Sequence, residues 1–343
     1  MTAEEVQRYD VVVVGGGAAG LSGALTLARA RRSVLVIDGG RPRNAPAAHV
    51  HTYLTSEGMQ PSELLAAGRA EVADYGGEIM TGHVAAAERL DAGGFLVVLD
   101  GGPTVAADRL LVTTGLVDEL PQIPGLAERW GRDVLHCPYC HGWEVRDEPI
   151  GILATGPLAV HQALLWRQWS KDVTLFLHTA PALTDDERER LAARDIAVVE
   201  GQVTGLEAED DRLTGVRLAG GRVVARRALA TTPRFTARAE LLTGLGLETT
   251  VQEMGGHVIG SYIAADPTGA TSVPGVWVAG NVANLMDQVI GAAAAGVRAG
   301  AAINADLIAE ETRRAVADRR APFSAAMERE VSEAVLGDRR HGL

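Results

Sequence analysis

Cys137 and Cys140 are the only cysteines among 343 residues, and the run Cys137-Pro138-Tyr139-Cys140 sets them two residues apart. Thiols at that spacing can close a disulfide with little backbone movement, and one of the two often ionises below its ordinary pKa. That is the chemistry of thiol–disulfide exchange. The same residues could instead be buried structural cysteines or half of a zinc site. Zinc would need a second Cys pair or histidines at ligand spacing, and with neither in the chain no metal is expected. His136 and His141 flank the pair, and imidazole is the side chain suited to taking a proton from a thiol near pH 7. His141 is the favoured base and His136 the second candidate; a purely structural role is open for either.

Such a couple needs a scaffold. Asp10 precedes a four-valine run, too apolar for a surface strand, that leads into Gly15, Gly17 and Gly20 in a GxGxxG pattern. Gly15 allows the turn, Gly17 lets a pyrophosphate approach the backbone, and Gly20 lets a helix pack on the strand. Asp38 ends the next strand about 20 residues on, where a carboxylate can accept from a ribose hydroxyl. Strand, turn, helix, strand and acid together read as a dinucleotide site whose phosphates face the helix N-terminus. Arg43, Asn44, His49 and His51 follow in a loop with two prolines. That loop lies near a cofactor or the substrate mouth, or else is simply solvated.

Three later segments fit the same scaffold. An apolar strand from Leu110 ends in Thr113, Thr114 and Gly115 before a Pro-rich crossing, which reads as a domain exit; Gly151 to Ala163 begins a second strand, turn and helix. The segment from Gly275 is a strand, a Gly280-Asn281 turn and a small-residue helix. The order is therefore first domain, inserted domain, return. Trp166 and Trp169 lie three apart, a spacing for core packing or a subunit contact. Trp143 either walls a substrate pocket or packs under the disulfide.

The net charge of −12, without a basic stripe, argues against nucleic acid. The polar first nine residues lead straight into a strand, so no signal peptide is expected. The Ala/Gly-rich stretch 292–303 is short and carries Arg298, so no membrane span is expected either. A cytoplasmic protein follows, in a compartment that keeps thiols reduced.

GxGxxG with Asp38, the Thr113-Thr114-Gly115 exit, CPYC opening an inserted domain, and GVWVAGN before an Ala-rich helix together resemble the low-molecular-weight thioredoxin reductase family over residues 9–305. The resemblance implies an α/β fold of two Rossmann-like, three-layer nucleotide-binding domains, the second inserted into the first. Residues 1–118 and 244–318 would form an FAD-binding domain, 119–243 the inserted domain, and 319–343 a surface helix and tail. It implies a homodimer and a disulfide stacked near the flavin, with Cys140 toward the flavin and Cys137 toward substrate. Gly15, Gly17, Gly20 and Asp38 would hold the ADP half of FAD. Thr114, Gly115, Gly280 and Asn281 would close on the flavin side, with Gln288, Val289 and Ile290 near the isoalloxazine, and Arg43, Asn44 and Val84 as further cofactor contacts. Asn281 stands where the family usually has Asp.

Two departures matter more. NADPH-using relatives carry a second Gly-rich turn and a His-Arg-Arg run whose arginines grip a 2′-phosphate. Here the turn reads Ala154-Thr155-Gly156-Pro157-Leu158-Ala159, and the next strand ends Leu177-His178-Thr179-Ala180. Proline removes an N–H, extra Cβ atoms intrude, and no arginine remains to pair with phosphate unless Arg188 or Arg190 substitutes. The second departure is CPYCHGWE, which is similar to the gliotoxin and holomycin dithiol oxidases. What this implies is oxidation of a small-molecule dithiol with O2 as acceptor and H2O2 as product. An NADPH-dependent thioredoxin-disulfide reductase and a non-catalytic flavoprotein redox sensor are the alternatives.

Overall fold

The computed structural model describes residues 6–156, 158–320 and 325–336. Pro157, and residues 321–324 and 337–343 of the expected tail, lie outside the described residues.

The N-terminal sheet is built from β1 (Arg8–Val14), β2 (Val34–Asp38), β3 (Glu78–Thr81), β4 (Val84–Arg89), β5 (Phe95–Leu99) and β6 (Thr104–Val112), in the order β3-β2-β1-β6-β5-β4. β3, β2, β1 and β6 run parallel, while β4 and β5 form an antiparallel meander on β6. The far half of β6 instead takes Val276–Val278 as a parallel neighbour, so the returning chain completes the same sheet. The four-valine run is buried on both faces, Val12 and Val14 in one core and Val11 and Val13 in the other. This is why it reads as an unbroken apolar run rather than an alternating one.

Helix α1 (Ala18–Arg29) covers one face with α2 (Pro61–Asp74) and the long helix Val289–Arg320. The long helix lies close on α1 because the contact is made by small residues: a Cβ on Gly296 would stand 2.0 Å from the Ala19 carbonyl oxygen. A separate helix spans Ala325–Leu336.

The chain leaves through Leu116–Glu119 and returns through Arg234–Ala237, which pair antiparallel. Between them lies a second, parallel sheet in the order 197–199, 173–176, 150–153, 228–231, 134–135, with a three-stranded meander beside it. The strand and helix expected from Gly151 are Ile150–Leu153 and Ala159–Trp166. Trp166 is fully buried, so core packing is its role. The protein is thus α/β, with two Rossmann-like sheets.

Candidate active site

Both expected sites converge on one cleft of about 600 Å³. Its walls include Gly15 and Gly17, Asp38, Arg43, Asn44, Val84, Thr114, Gly115, His136, Cys137, Cys140, His141, Gly280, Asn281, Gln288 and Val289. Gly20 supports the cleft from behind, and Ile290 is exposed outside it.

The dinucleotide end follows from backbone sterics. Gly15 has φ +106°, and a Cβ there would meet the Thr113 carbonyl oxygen at 2.5 Å; on Gly20 it would meet the Gly15 oxygen at 1.9 Å. Gly17, at the α1 N-cap, has nothing within 4 Å of a Cβ position, so the space before it is open to a phosphate. Asp38 accepts the Gly16 N–H at 3.2 Å, which fixes the carboxylate beside the turn. The Thr113 hydroxyl bonds the Val14 and Gly15 carbonyls, tying the end of β6 to that turn. A dinucleotide fits these groups.

Asn281 is bound on all sides. Its amide nitrogen donates to the carbonyls of Asn284 and Asp287, both at 3.0 Å, and its oxygen accepts from Arg43 at 3.3 Å. A carboxylate could not donate to those two carbonyls, which is the physical reason an amide suits this turn. Arg43 in turn makes a bidentate pair with Asp118 at 2.6 and 2.8 Å.

The thiols are half-buried and free. Cys137 is the N-cap of the short helix α3 (Pro138–His141). The Cys140 thiol donates to the Cys137 sulfur. With the backbone N–H groups of Cys140 and Tyr139 and the Gln288 amide, this pulls Cys137 to about 7 against the opposing effect of burial. Cys140, which holds the shared proton and sits beside that sulfur, is pushed well above the thiol range. These surroundings favour the thiolate on Cys137 over Cys140. The Gln288 carboxamide nitrogen lies 3.8 Å from the Cys137 sulfur and 3.7 Å from that of Cys140.

The two flanking histidines differ. His136 bonds the Thr231 carbonyl at 3.3 Å and sets its ring edge-on to Phe235, 5.1 Å between centroids. Among the described residues His141 has no such tether. Burial lowers its pKa, while the nearby Glu144 carboxylate raises it. His51, from the loop after Asp38, stands between Glu57 at 2.6 Å and Glu144 at 3.4 Å.

At the second nucleotide position His178 accepts the Val203 N–H at 3.0 Å, and Thr155 bonds the Thr232 carbonyl. Arg188 pairs with Glu200 at 3.7 Å and Arg190 with Asp186 at 3.0 Å.

A profile of the pyridine nucleotide-disulphide oxidoreductase family matches residues 9–299. The chain belongs to that family. Within it, the chain is 32% identical over 314 residues to thioredoxin reductase tcpT of Claviceps purpurea, covering 88% of this chain and 95% of tcpT. Thioredoxin reductase sirT of Leptosphaeria maculans is 31% identical over 312 residues, covering 86% and 93%. Among solved structures, HlmI superposes with a TM-score of 0.84 at 50% identity, covering 92% of this chain and 97% of HlmI. An oxidoreductase from Agrobacterium tumefaciens gives 0.82 at 35% identity, covering 88% and 99%. The resemblance to thioredoxin reductases read from the motifs is borne out, and the protein is an oxidoreductase of a flavoprotein family.

The roles of two residues at this site of the oxidoreductase were not legible in the sequence. Asp118 gave no local signal, being one acid in the crossing read as a domain exit. Trp169 stacks edge-on to Tyr139 at 5.5 Å and backs the thiol helix. Of the two places considered for Trp143, packing under the disulfide is wrong: the residue is 66% exposed, with Arg146 stacked over its ring at 4.1 Å. No helix among the described residues is long and apolar enough to cross a membrane.

Proposed function

We propose that this oxidoreductase binds FAD and converts a small-molecule dithiol to its intramolecular disulfide, with O2 as final acceptor and H2O2 as product. The observation that carries the reading is the state of the second nucleotide position. His178 is committed to a backbone N–H, and the strand end Leu177-His178-Thr179-Ala180 carries no arginine to grip a 2′-phosphate. Arg188 and Arg190 lie beyond it, in exposed pairs with Glu200 and Asp186. The HlmI likeness and the CPYCHGWE run point the same way, toward the gliotoxin and holomycin branch.

In this reading His141 takes the proton from the incoming thiol, and the substrate thiolate attacks Cys137 in the Cys137–Cys140 disulfide. Cys140 leaves and gains a proton. The second substrate thiol then closes the substrate's own disulfide and expels Cys137, whose pKa of about 7 makes it the better leaving group. The Gly17 cradle and the Asn281 turn would hold FAD, which would supply the two-electron acceptor between the reduced thiol pair and O2. His136 orients the segment before Cys137 through Thr231 rather than moving protons. The protein would act as a cytoplasmic homodimer.

A second reading is an NADPH-dependent disulfide reductase, favoured by the names of the curated relatives. Anaerobic titration of the yellow holoprotein separates them. We expect dithiothreitol to bleach the flavin and, in air, to drive O2 uptake with H2O2 release, while NADPH leaves the colour unchanged. Prompt bleaching by micromolar NADPH would establish the reductase instead.

A further inference from the structure

The loop 51–57 reaches the thiols through a chain of hydrogen bonds that the proposed chemistry does not use. Glu57 holds both ends of the dipeptide before the turn, accepting the Thr52 N–H at 2.8 Å and facing His51 Nδ1 at 2.6 Å. Thr52 is thereby held at φ +58°. Its hydroxyl oxygen lies 2.7 Å from the His51 carbonyl oxygen and 3.0 Å from Gln288 Oε1, the two acceptors open to its single proton. With its oxygen engaged there, the Gln288 carboxamide turns its nitrogen to both sulfurs, at 3.8 and 3.7 Å. The reverse orientation would set the amide oxygen against the Cys137 thiolate, a contact between two acceptors. Apart from the Cys140 thiol, no other side chain among the described residues bonds a sulfur. Arg43 acts on Cys140 through its charge, and His51, His136 and His141 line the same cleft.

We propose that Thr52, fixed by Glu57, is a positioning residue of the redox pair: its hydroxyl aims the Gln288 N–H groups at the two sulfurs and so stabilises the reduced, singly ionised pair over the disulfide. The disulfide has weaker acceptors, so donors placed here favour reduction and make the couple more oxidising. Substrate dithiol and protein disulfide then give substrate disulfide, the Cys137 thiolate, the Cys140 thiol and one released proton. One S–S bond breaks, one forms, and two electrons pass to the protein. The proposal rests on the Cys137–Cys140 couple of the proposed function, but not on the identity of the electron acceptor.

The test reads thiols rather than turnover, so it stands whether or not the oxidase reading does. Holoprotein is reduced with dithiothreitol under argon, desalted, and alkylated with iodoacetamide from pH 5 to 10, with labelling of the Cys137 peptide followed by mass spectrometry. The native inflection is expected near 7. Thr52→Val keeps the shape and the β-branch; it should raise the inflection and cut labelling at pH 6 about five-fold, the scale of weakening one hydrogen bond to a charged group. Thr52→Ser should titrate as native, and Thr52→Val should add nothing in a Gln288→Met background. The proposal is overturned if Thr52→Val leaves the inflection in place, if Thr52→Ser shifts it equally, or if the shift persists undiminished without the Gln288 amide.

Discussion

Gly17 and Gly20 belong to one motif yet should fail differently when given a side chain. At Gly17 a Cβ meets no protein atom, so Gly17→Val should fold with native circular dichroism and lose most of its flavin absorbance. At Gly20 a Cβ lands 1.9 Å from the Gly15 oxygen, so Gly20→Ala should lower stability itself, by about 1–3 kcal/mol or more. Full flavin occupancy in Gly17→Val would place the cofactor elsewhere. His141 invites a kinetic test. Burial lowers its pKa, so it stays neutral and able to accept a proton at and somewhat below pH 7. His141→Ala should cut dithiol turnover about a hundred-fold at pH 7. The deficit should shrink toward pH 8.5, about the pKa at which a free thiol ionises unaided. A deficit that stays flat with pH would assign His141 to packing.

The long helix Val289–Arg320 and α1 approach so closely because Gly23, Gly296 and Gly300 line their contact; a Cβ on Gly300 would stand 2.8 Å from the Gly23 oxygen. Ala19, against which Gly296 packs, lies in the first turn of α1 and also faces Gly280. The seam therefore sets the distance between the phosphate turn and the Asn281 turn. We expect Gly296→Val to lower the urea midpoint by the equivalent of about 1–3 kcal/mol, the scale for overpacking, and to reduce flavin content as well. Ala294→Val, on the exposed side of the same helix, should do neither. Equal effects from the two would mean that helix propensity, not the seam, is at issue.

Across the whole molecule, His136, His141 and His178 are all lowered from the ordinary histidine pKa by burial. His136 and His178 also tie separate strands together through their neutral rings. A histidine depressed in the folded state binds its proton more readily when unfolded. Its contribution is complete above about pH 6.5 and is lost as pH falls through the folded values. The carboxylates lowered by hydrogen bonds, Glu187 and Glu310 among them, act in the same direction but only below about pH 4.5. Urea midpoints should therefore fall between pH 7 and pH 5, and His178→Gln should flatten part of that slope. A midpoint constant over this range would show that the three rings protonate freely in the folded protein.

The sequence by itself determined the features whose chemistry is complete within a few residues. Cys137 and Cys140 make a couple through their spacing, Gly15, Gly17 and Gly20 make a cradle through backbone freedom, and four consecutive valines require a strand covered on both faces. Asn281 could be recognised as a departure, but its reason was hidden in carbonyls that only the folded turn presents. The tertiary structure decided which distant groups complete the site: Gln288 reaches the sulfurs across 151 and 148 positions, and Arg43 meets Asp118 across 75. It also put Trp143, close to Cys140 in sequence, at the surface, and Trp169, far from it in sequence, behind the thiol helix. Such contacts depend on how the two sheets dock through the paired crossings at 116–119 and 234–237, and no local pattern of residues encodes that docking.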